Sequence, residues 1–295
     1  MIVFLNGRFV PEAQATVSVF DRSFLYGDGL FETMRVANGK PFRWEQHLDR
    51  LARGAEFLDI KIPFDHPALA QFAGELIARN HLPEALLRLT LSRGVGPRGY
   101  SPRGADQPSL VMTLHPFKAP AVNPEPSMGA PVQTGGLVRW RAHTADCRLP
   151  AGEALAQFKT CNKLAQVLAR AEAEAADADE ALLLNTAGFL VEGASSNFFW
   201  IQEGTVCTPP LASGVLAGVT RAVVRELCET LGQPFKEAQL TPAELPQVDG
   251  AFLSLSSLGL VELAEVDGTP LNRAPILPHL HAAYQTLLRE ECGAR

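Results

Sequence analysis

Long runs of any one character are missing from this chain of 295 residues. No cluster of Lys or Arg interrupts a formal net charge of -6, so nucleic acid and anionic membrane surfaces are poor partners. A small anion is still accommodated, because local basic residues matter more to a pocket than the total does. No apolar run is long enough for a membrane span. The uncharged stretch from Gly204 to Thr220 is broken by Pro209, Pro210 and several glycines. The N-terminal MIVFLNGRFV has no cationic region followed by a long apolar stretch, which argues against a secretory signal. Cysteine is sparse and scattered (Cys147, Cys161, Cys207, Cys228, Cys292), with no C-x-x-C pair and an odd one left over. That pattern reads as reduced thiols in the cytoplasm, not a disulfide framework.

Several chemistries are missing as well. The seven histidines lack ligand spacing, so no metal site is expected. Gly193-Ala194-Ser195-Ser196-Asn197 has the wrong end for a G-x-S-x-G elbow, and no lysine follows a Gly-rich loop as a Walker motif requires. Gly94-Val95-Gly96-Pro97-Arg98-Gly99 does fit G-x-G-x-x-G. A dinucleotide site needs that motif to run straight into a helix, and Tyr100-Ser101-Pro102 cannot start one.

What is present suffices for a substantial core: 46% hydrophobic and 20% charged residues show no sign of wholesale disorder, and the length favours two domains. A hairpin is expected over Ile2–Phe9, turning at Asn6-Gly7, then a strand over Leu30–Val36 and a turn at Asn38-Gly39. Leu48, Leu51, Ala52, Ala55 and Leu58 share one helical face, and a second helix begins near Pro67. Strands follow at 85–92 and 109–115. Five prolines between Pro116 and Pro131 mark a boundary. The expected division is a smaller N-terminal α+β domain (1–116), a proline-rich linker (117–131) and a larger C-terminal domain (132–295). Beyond the linker the pattern predicts a helix over 162–176, a hairpin over 181–202 turning at Thr186-Ala187-Gly188, and a helix over 219–231 stopped by Gly232. Without strict βαβ alternation, the class is α+β.

Four features carry chemistry. Lys159 stands just before a helix, between Phe158 and the small Thr160 and Cys161. Alone it is an ordinary solvated lysine; partly buried, it becomes a nucleophile toward an aldehyde. Glu192 lies on an apolar strand before Gly193 and Ala194, where a flat ring could approach the backbone. Gly214-Val215-Leu216-Ala217-Gly218-Val219-Thr220-Arg221 runs into a helix, which suits a phosphate. Arg50 sits on the polar side of the first long helix, a position usual for a surface arginine.

In this order, these residues resemble the class IV (fold-type IV) aminotransferases, a family that includes branched-chain and D-amino-acid aminotransferases and 4-amino-4-deoxychorismate lyase. The likeness covers Tyr26 to Thr33, His47 to Arg50, Ser92 to Tyr100, Phe158 to Leu168, Val191 to Phe198 and Leu216 to Arg221. It implies a two-domain enzyme with pyridoxal 5'-phosphate between the domains. Lys159 would hold the cofactor as a Schiff base and act as the proton-moving base, and Glu192 would bind the pyridine nitrogen. Arg50, with the backbone of Val219 and Thr220, would grip the phosphate. Ser195, Ser196, Asn197 and Ser256 would be further cofactor neighbours, and Phe31, Arg98 and Tyr100 would meet the substrate, Arg98 holding its carboxylate.

The resemblance leaves two reactions open. One is transamination between an amino acid, branched-chain or similar, and a 2-oxo acid. The other is elimination of pyruvate from aminodeoxychorismate, for folate synthesis. Arg98-Gly99-Tyr100 looks lyase-like, but Leu255 stands where lyases of the family often carry Asn. Position 31 is Phe, where D-amino-acid aminotransferases tend to carry Tyr. A non-catalytic binding protein would require loss of Lys159 or Glu192, and both are present. A cytoplasmic homodimer is implied.

Overall fold

The computed structural model describes residues 1–118 and 136–293. They fall into two compact units. One comprises Met1–Lys118, Phe158–Lys163 and the chain from Leu288; the other comprises residues 136–157 and Leu164–Leu287. Of the linker expected at 117–131, residues 119–131 lie outside the described residues.

In the N-terminal unit, β1 (Ile2–Leu5) and β2 (Arg8–Pro11) form the expected hairpin. Asn6 and Gly7 turn it with φ of 48° and 85°, the geometry that favours this pair. There follow α1 (Arg22–Tyr26), β3 (Gly29–Ala37), β4 (Lys40–Pro41), α2 (Trp44–Phe57), α3 (His66–Asn80), β5 (Ala85–Ser92) and β6 (Ser109–Pro116). The strands make one antiparallel sheet in the order β2-β1-β6-β5-β3-β4. Alternation sends Leu30, Met34 and Val36 of β3 and Leu87, Leu89 and Leu91 of β5 into the core with Leu48 and Leu51 of α2 and Leu69 and Leu76 of α3. Gly54 allows α2 to lie close, since a Cβ there would come within 3.0 Å of Leu30. Asp65 caps α3 by accepting from the Ala68 N–H at 2.9 Å, ahead of Pro67.

The other unit contains β7 (Val138–Leu149), α4 (Leu164–Ala175), β8 (Glu180–Asn185), β9 (Leu190–Gly193), β10 (Asn197–Gln202), β11 (Thr205–Thr208), α5 (Val219–Thr230), β12 (Phe235–Glu237), β13 (Gly250–Leu255), β14 (Gly259–Val266), β15 (Thr269–Pro270) and most of α6 (Ile276–Cys292). The sheet runs β12-β11-β10-β13-β14-β7-β8-β9, with β15 on β14. β9 also pairs β10 at Glu192–Asn197, which closes β10-β13-β14-β7-β8-β9 into a ring. Leu182, Leu184, Phe198, Trp200, Leu253 and Leu263 are part of its core. β7 is parallel to β8, and α4 supplies the crossover such a pair needs.

The expected hairpin over 181–202 is in fact three strands. The chain reverses a second time after Gly193, whose N–H donates to the Ser196 carbonyl at 2.7 Å, so Asn197 lies opposite Glu192. α5 starts and stops as expected, with Gly218 at its N-cap and Gly232 beyond its end at φ 64°. No helix among the described residues is long and apolar enough to cross a membrane.

Candidate active site

Each unit gathers its own set of the residues singled out above. In the N-terminal unit, residues 159–161 dock along the open edge of β3. The Phe31 N–H donates to the Lys159 carbonyl at 2.9 Å, and the Cys161 N–H to the Gly29 carbonyl at 2.8 Å. This fixes the Lys159 backbone and leaves its side chain, half-buried, with Nζ 4.8 Å from the centre of the Phe31 ring. Arg88, from β5, lies over the same ring at 3.8 Å. Burial lowers the Arg88 pKa, and nearby Cys161 opposes that shift. The Cys161 thiol is itself pushed up by burial, against a Ser23 hydrogen bond and the Arg88 charge, so it is not poised as a thiolate.

On the opposite face of β3, Glu32 is buried in the row of Leu30 and Met34. Its carboxylate accepts Arg50 Nε at 2.8 Å and Nη2 at 2.6 Å, and meets His47 Nδ1 at 2.6 Å. Burial would raise the Glu32 pKa, but the Arg50 charge and the His47 and Arg50 hydrogen bonds outweigh it and hold it at about 2. Burial lowers the His47 pKa; Glu32 opposes this, while the Arg50 and Lys159 charges add to it. An ionised carboxylate can only accept, so the neutral imidazole carries its proton on Nδ1. Arg50 is therefore not the exposed arginine that its place on the polar side of the helix suggested. It is buried, and Glu32 is the reason.

In the other unit, Glu192 on β9 is buried, and its Oε2 accepts the Leu216 N–H at 2.9 Å. Asn197 donates Nδ2 to the Leu216 carbonyl at 2.9 Å, so the loop before α5 is held from both strands. Gly218 caps α5 without a side-chain acceptor, and a Cβ on it would lie 1.8 Å from Asn197 Oδ1. Val219 and Thr220 form the first turn, where N–H groups point out of the helix. Ser195 donates to fully buried Glu180 at 2.7 Å and Ser196 at 3.3 Å, which pins the turn between Glu192 and Asn197. Ser256 lies, half-buried, in the turn after β13. Arg98 and Tyr100 are exposed on the loop between β5 and β6. Among the described residues no group of His, Cys, Asp or Glu could hold a metal ion.

Glu32 and Glu180 are absent from the residues singled out by sequence. A signal for Glu32 does exist: it interrupts a buried alternate row, and His47 and Arg50 share helical spacing with Leu51 and Gly54. Glu180 opens an apolar run and carries no comparable sign.

The model of the amino-transferase class IV family matches residues 29–266, and the chain belongs to that family of enzymes. A putative branched-chain-amino-acid aminotransferase of Methanocaldococcus jannaschii is 36% identical to it, over 94% of this chain and 91% of that one. The structure of a branched-chain aminotransferase from Thermoproteus uzoniensis with norvaline superposes with a TM-score of 0.87 at 29% identity, covering 99% of this chain and 96% of that chain. A 4-amino-4-deoxychorismate lyase from Pseudomonas aeruginosa gives a TM-score of 0.80 at 33% identity, covering 98% of both chains. The α+β, fold-type IV architecture is thus shared with these enzymes.

Proposed function

We propose that the chain is a pyridoxal-phosphate-dependent aminotransferase that moves an amino group between an amino acid of the branched-chain type and a 2-oxo acid. The observation that carries this reading is the docking of Lys159. Its carbonyl accepts from the Phe31 N–H and, two residues on, the Cys161 N–H donates to the Gly29 carbonyl, so the chain is fixed to β3 where the Lys159 side chain leaves it, with Nζ over the Phe31 ring. That suits a group that must hold a cofactor covalently, release it and then move a proton.

The residues present fit the cofactor. Glu192 offers a buried carboxylate, fixed by the Leu216 N–H, to a ring nitrogen. The first turn of α5 offers N–H groups that no side chain caps, beside Gly218, where an added Cβ would have no room. When bound, pyridoxal phosphate would supply the electron sink that lets an amino acid lose its α-proton. Glu192 would hold positive charge on the ring nitrogen. Val219, Thr220 and Arg50 would bind the phosphate, Arg50 with its guanidinium already oriented by Glu32. Ser195, Ser196, Asn197 and Ser256 would complete the cofactor's surroundings. Phe31, Arg98 and Tyr100 would meet the substrate, with Arg98 pairing its carboxylate.

A cytoplasmic homodimer is part of the same reading. Five free cysteines suit a reducing compartment. Exposed Val19, Phe20 and Phe24, and Leu164, Val167 and Leu168 on α4, are apolar surface that a second copy would cover.

The alternative is aminodeoxychorismate lyase, favoured by Arg98-Gly99-Tyr100 and by the Pseudomonas relative. The absorbance of purified protein, loaded with pyridoxal phosphate and challenged with L- and D-amino acids, separates the two. Transamination requires one donor to bleach the cofactor band and its 2-oxo acid to restore it. A band that no amino acid discharges selects the lyase. No band at all, even with added cofactor, sinks the assignment of Lys159.

A further inference from the structure

Arg22, the first residue of α1, is only 3% exposed. Its Nε donates to Asp28 Oδ2 at 2.7 Å. Its Nη1 donates to the carbonyls of Gly99 at 2.9 Å and Ser101 at 3.1 Å, and Nη2 to that of Tyr100 at 3.1 Å. Three successive carbonyls of one loop therefore converge on a single guanidinium. Tyr26 reinforces the grip. The Arg22 Cζ lies 5.0 Å from its ring centre, and its hydroxyl accepts the Gly99 N–H at 3.3 Å. Asp28 is anchored in turn, because its Oδ2 also accepts Arg93 Nε at 2.8 Å. Arg93 donates to the Leu58 and Asp59 carbonyls beyond α2 at 2.7 and 2.9 Å.

The side chains of this loop behave differently. Arg98 is exposed and Tyr100 is 86% exposed. A backbone fixed from beneath while its side chains reach solvent is built to present those side chains. A guanidinium suits the task, since its planar fork reaches several carbonyls at once where a lysine reaches one point.

We propose that Arg22 is a positioning residue for substrate recognition: by holding the carbonyls of Gly99, Tyr100 and Ser101, it sets Arg98 and Tyr100 to bind the substrate carboxylate. This rests on the reading of Arg98 and Tyr100 as substrate-binding residues.

The test uses the cofactor-loaded enzyme, wild type against Arg22→Lys, Arg98→Gln and the double variant. Calorimetric affinities are measured for 4-methylpentanoate and, as an uncharged control, 4-methylpentanamide. Either single substitution should weaken the carboxylate about tenfold, the scale of one charge-assisted bond, and leave the amide unchanged. The double variant should be scarcely weaker than either single one, because a released loop has already lost its aim. Trypsin, with products mapped by mass, should cut Arg22→Lys several-fold faster after Arg98 and Arg103 and at the wild-type rate elsewhere. If Arg98→Gln weakens the carboxylate but Arg22→Lys does not, or if Arg22→Lys weakens the amide equally, this inference alone fails. If Arg98→Gln has no effect, or wild type binds neither probe, the substrate-binding reading fails and takes this one with it. Should Arg22→Lys not fold, Asp28→Asn removes the charge that orients Arg22. It must reproduce the carboxylate-specific loss in weaker form, and an unchanged affinity overturns the proposal.

Discussion

Glu32 and Arg50 form a buried two-point ion pair, Nε to Oε1 at 2.8 Å and Nη2 to Oε2 at 2.6 Å, between β3 and α2. Breaking such a pair from one side leaves a buried charge without compensation. Glu32→Gln should therefore cost about 3–5 kcal/mol, far more than a surface substitution. Chemical denaturation measures it. A loss under 1 kcal/mol would mean that water already reaches Arg50.

The same carboxylate gives the enzyme an acid limb. In the folded chain Glu32 titrates near 2, against 4.5 for the free side chain. Its contribution, on the order of 3 kcal/mol, is present above pH 4.5 and lost as pH falls toward 2. His47 acts in the same direction from a higher pH. Burial depresses its pKa below 6.5, so the unfolded chain takes up a proton that the folded chain refuses, and stability falls below pH 6.5. Denaturation midpoints should decline from about pH 6.5 downward, more steeply below 4.5. In Glu32→Gln the steeper part should flatten. A midpoint independent of pH between 7 and 4 would contradict both assignments.

Legibility in the sequence follows periodicity. β5 and β6 emerge almost to the residue, because alternation and flanking Gly and Pro bound them. α5 emerges with both ends, because glycines stand at each. The burial of Arg50 does not emerge. Its partner lies 18 residues earlier on a strand, and a one-dimensional pattern shows only a charged residue on a helix. The reversal after Gly193 is hidden for a similar reason. It depends on Glu180, a carboxylate 15 and 16 residues upstream of the two serines it holds. Lys159 stood out only through the order of its companions. Its docking onto β3 is backbone pairing, which leaves no side-chain signature.

Lys159→Ala tests the proposed covalent role directly. Borohydride treatment of the loaded wild type should fix the cofactor to the peptide containing Lys159, as mass mapping would show, and the variant should carry no adduct. Turnover should drop by about 10³-fold, within the range for a lost general base. Small primary amines should restore part of it, since they can carry the proton that Nζ no longer carries. Adduct formation at Lys163 in wild type would move the assignment along the chain.

Two glycines should respond in opposite directions to alanine. Gly74 lies within α3 with nothing within 4 Å of a Cβ, so Gly74→Ala should stabilise by about 0.5–1 kcal/mol through helix propensity. At Gly218 a Cβ would lie 1.8 Å from Asn197 Oδ1 and 3.2 Å from Arg221 Cβ. Asn197 cannot give way without losing its bond to the carbonyl of Leu216, the residue whose own N–H donates to Glu192. Gly218→Ala should thus cost about 1–3 kcal/mol as overpacking does. It should also weaken pyridoxal phosphate binding more than Gly74→Ala does, because it shifts the first turn of α5. Fluorescence titration with the cofactor and thermal melts of both variants separate the effects. If Gly218→Ala lost stability but kept wild-type cofactor affinity, the first turn of α5 would not be the phosphate site.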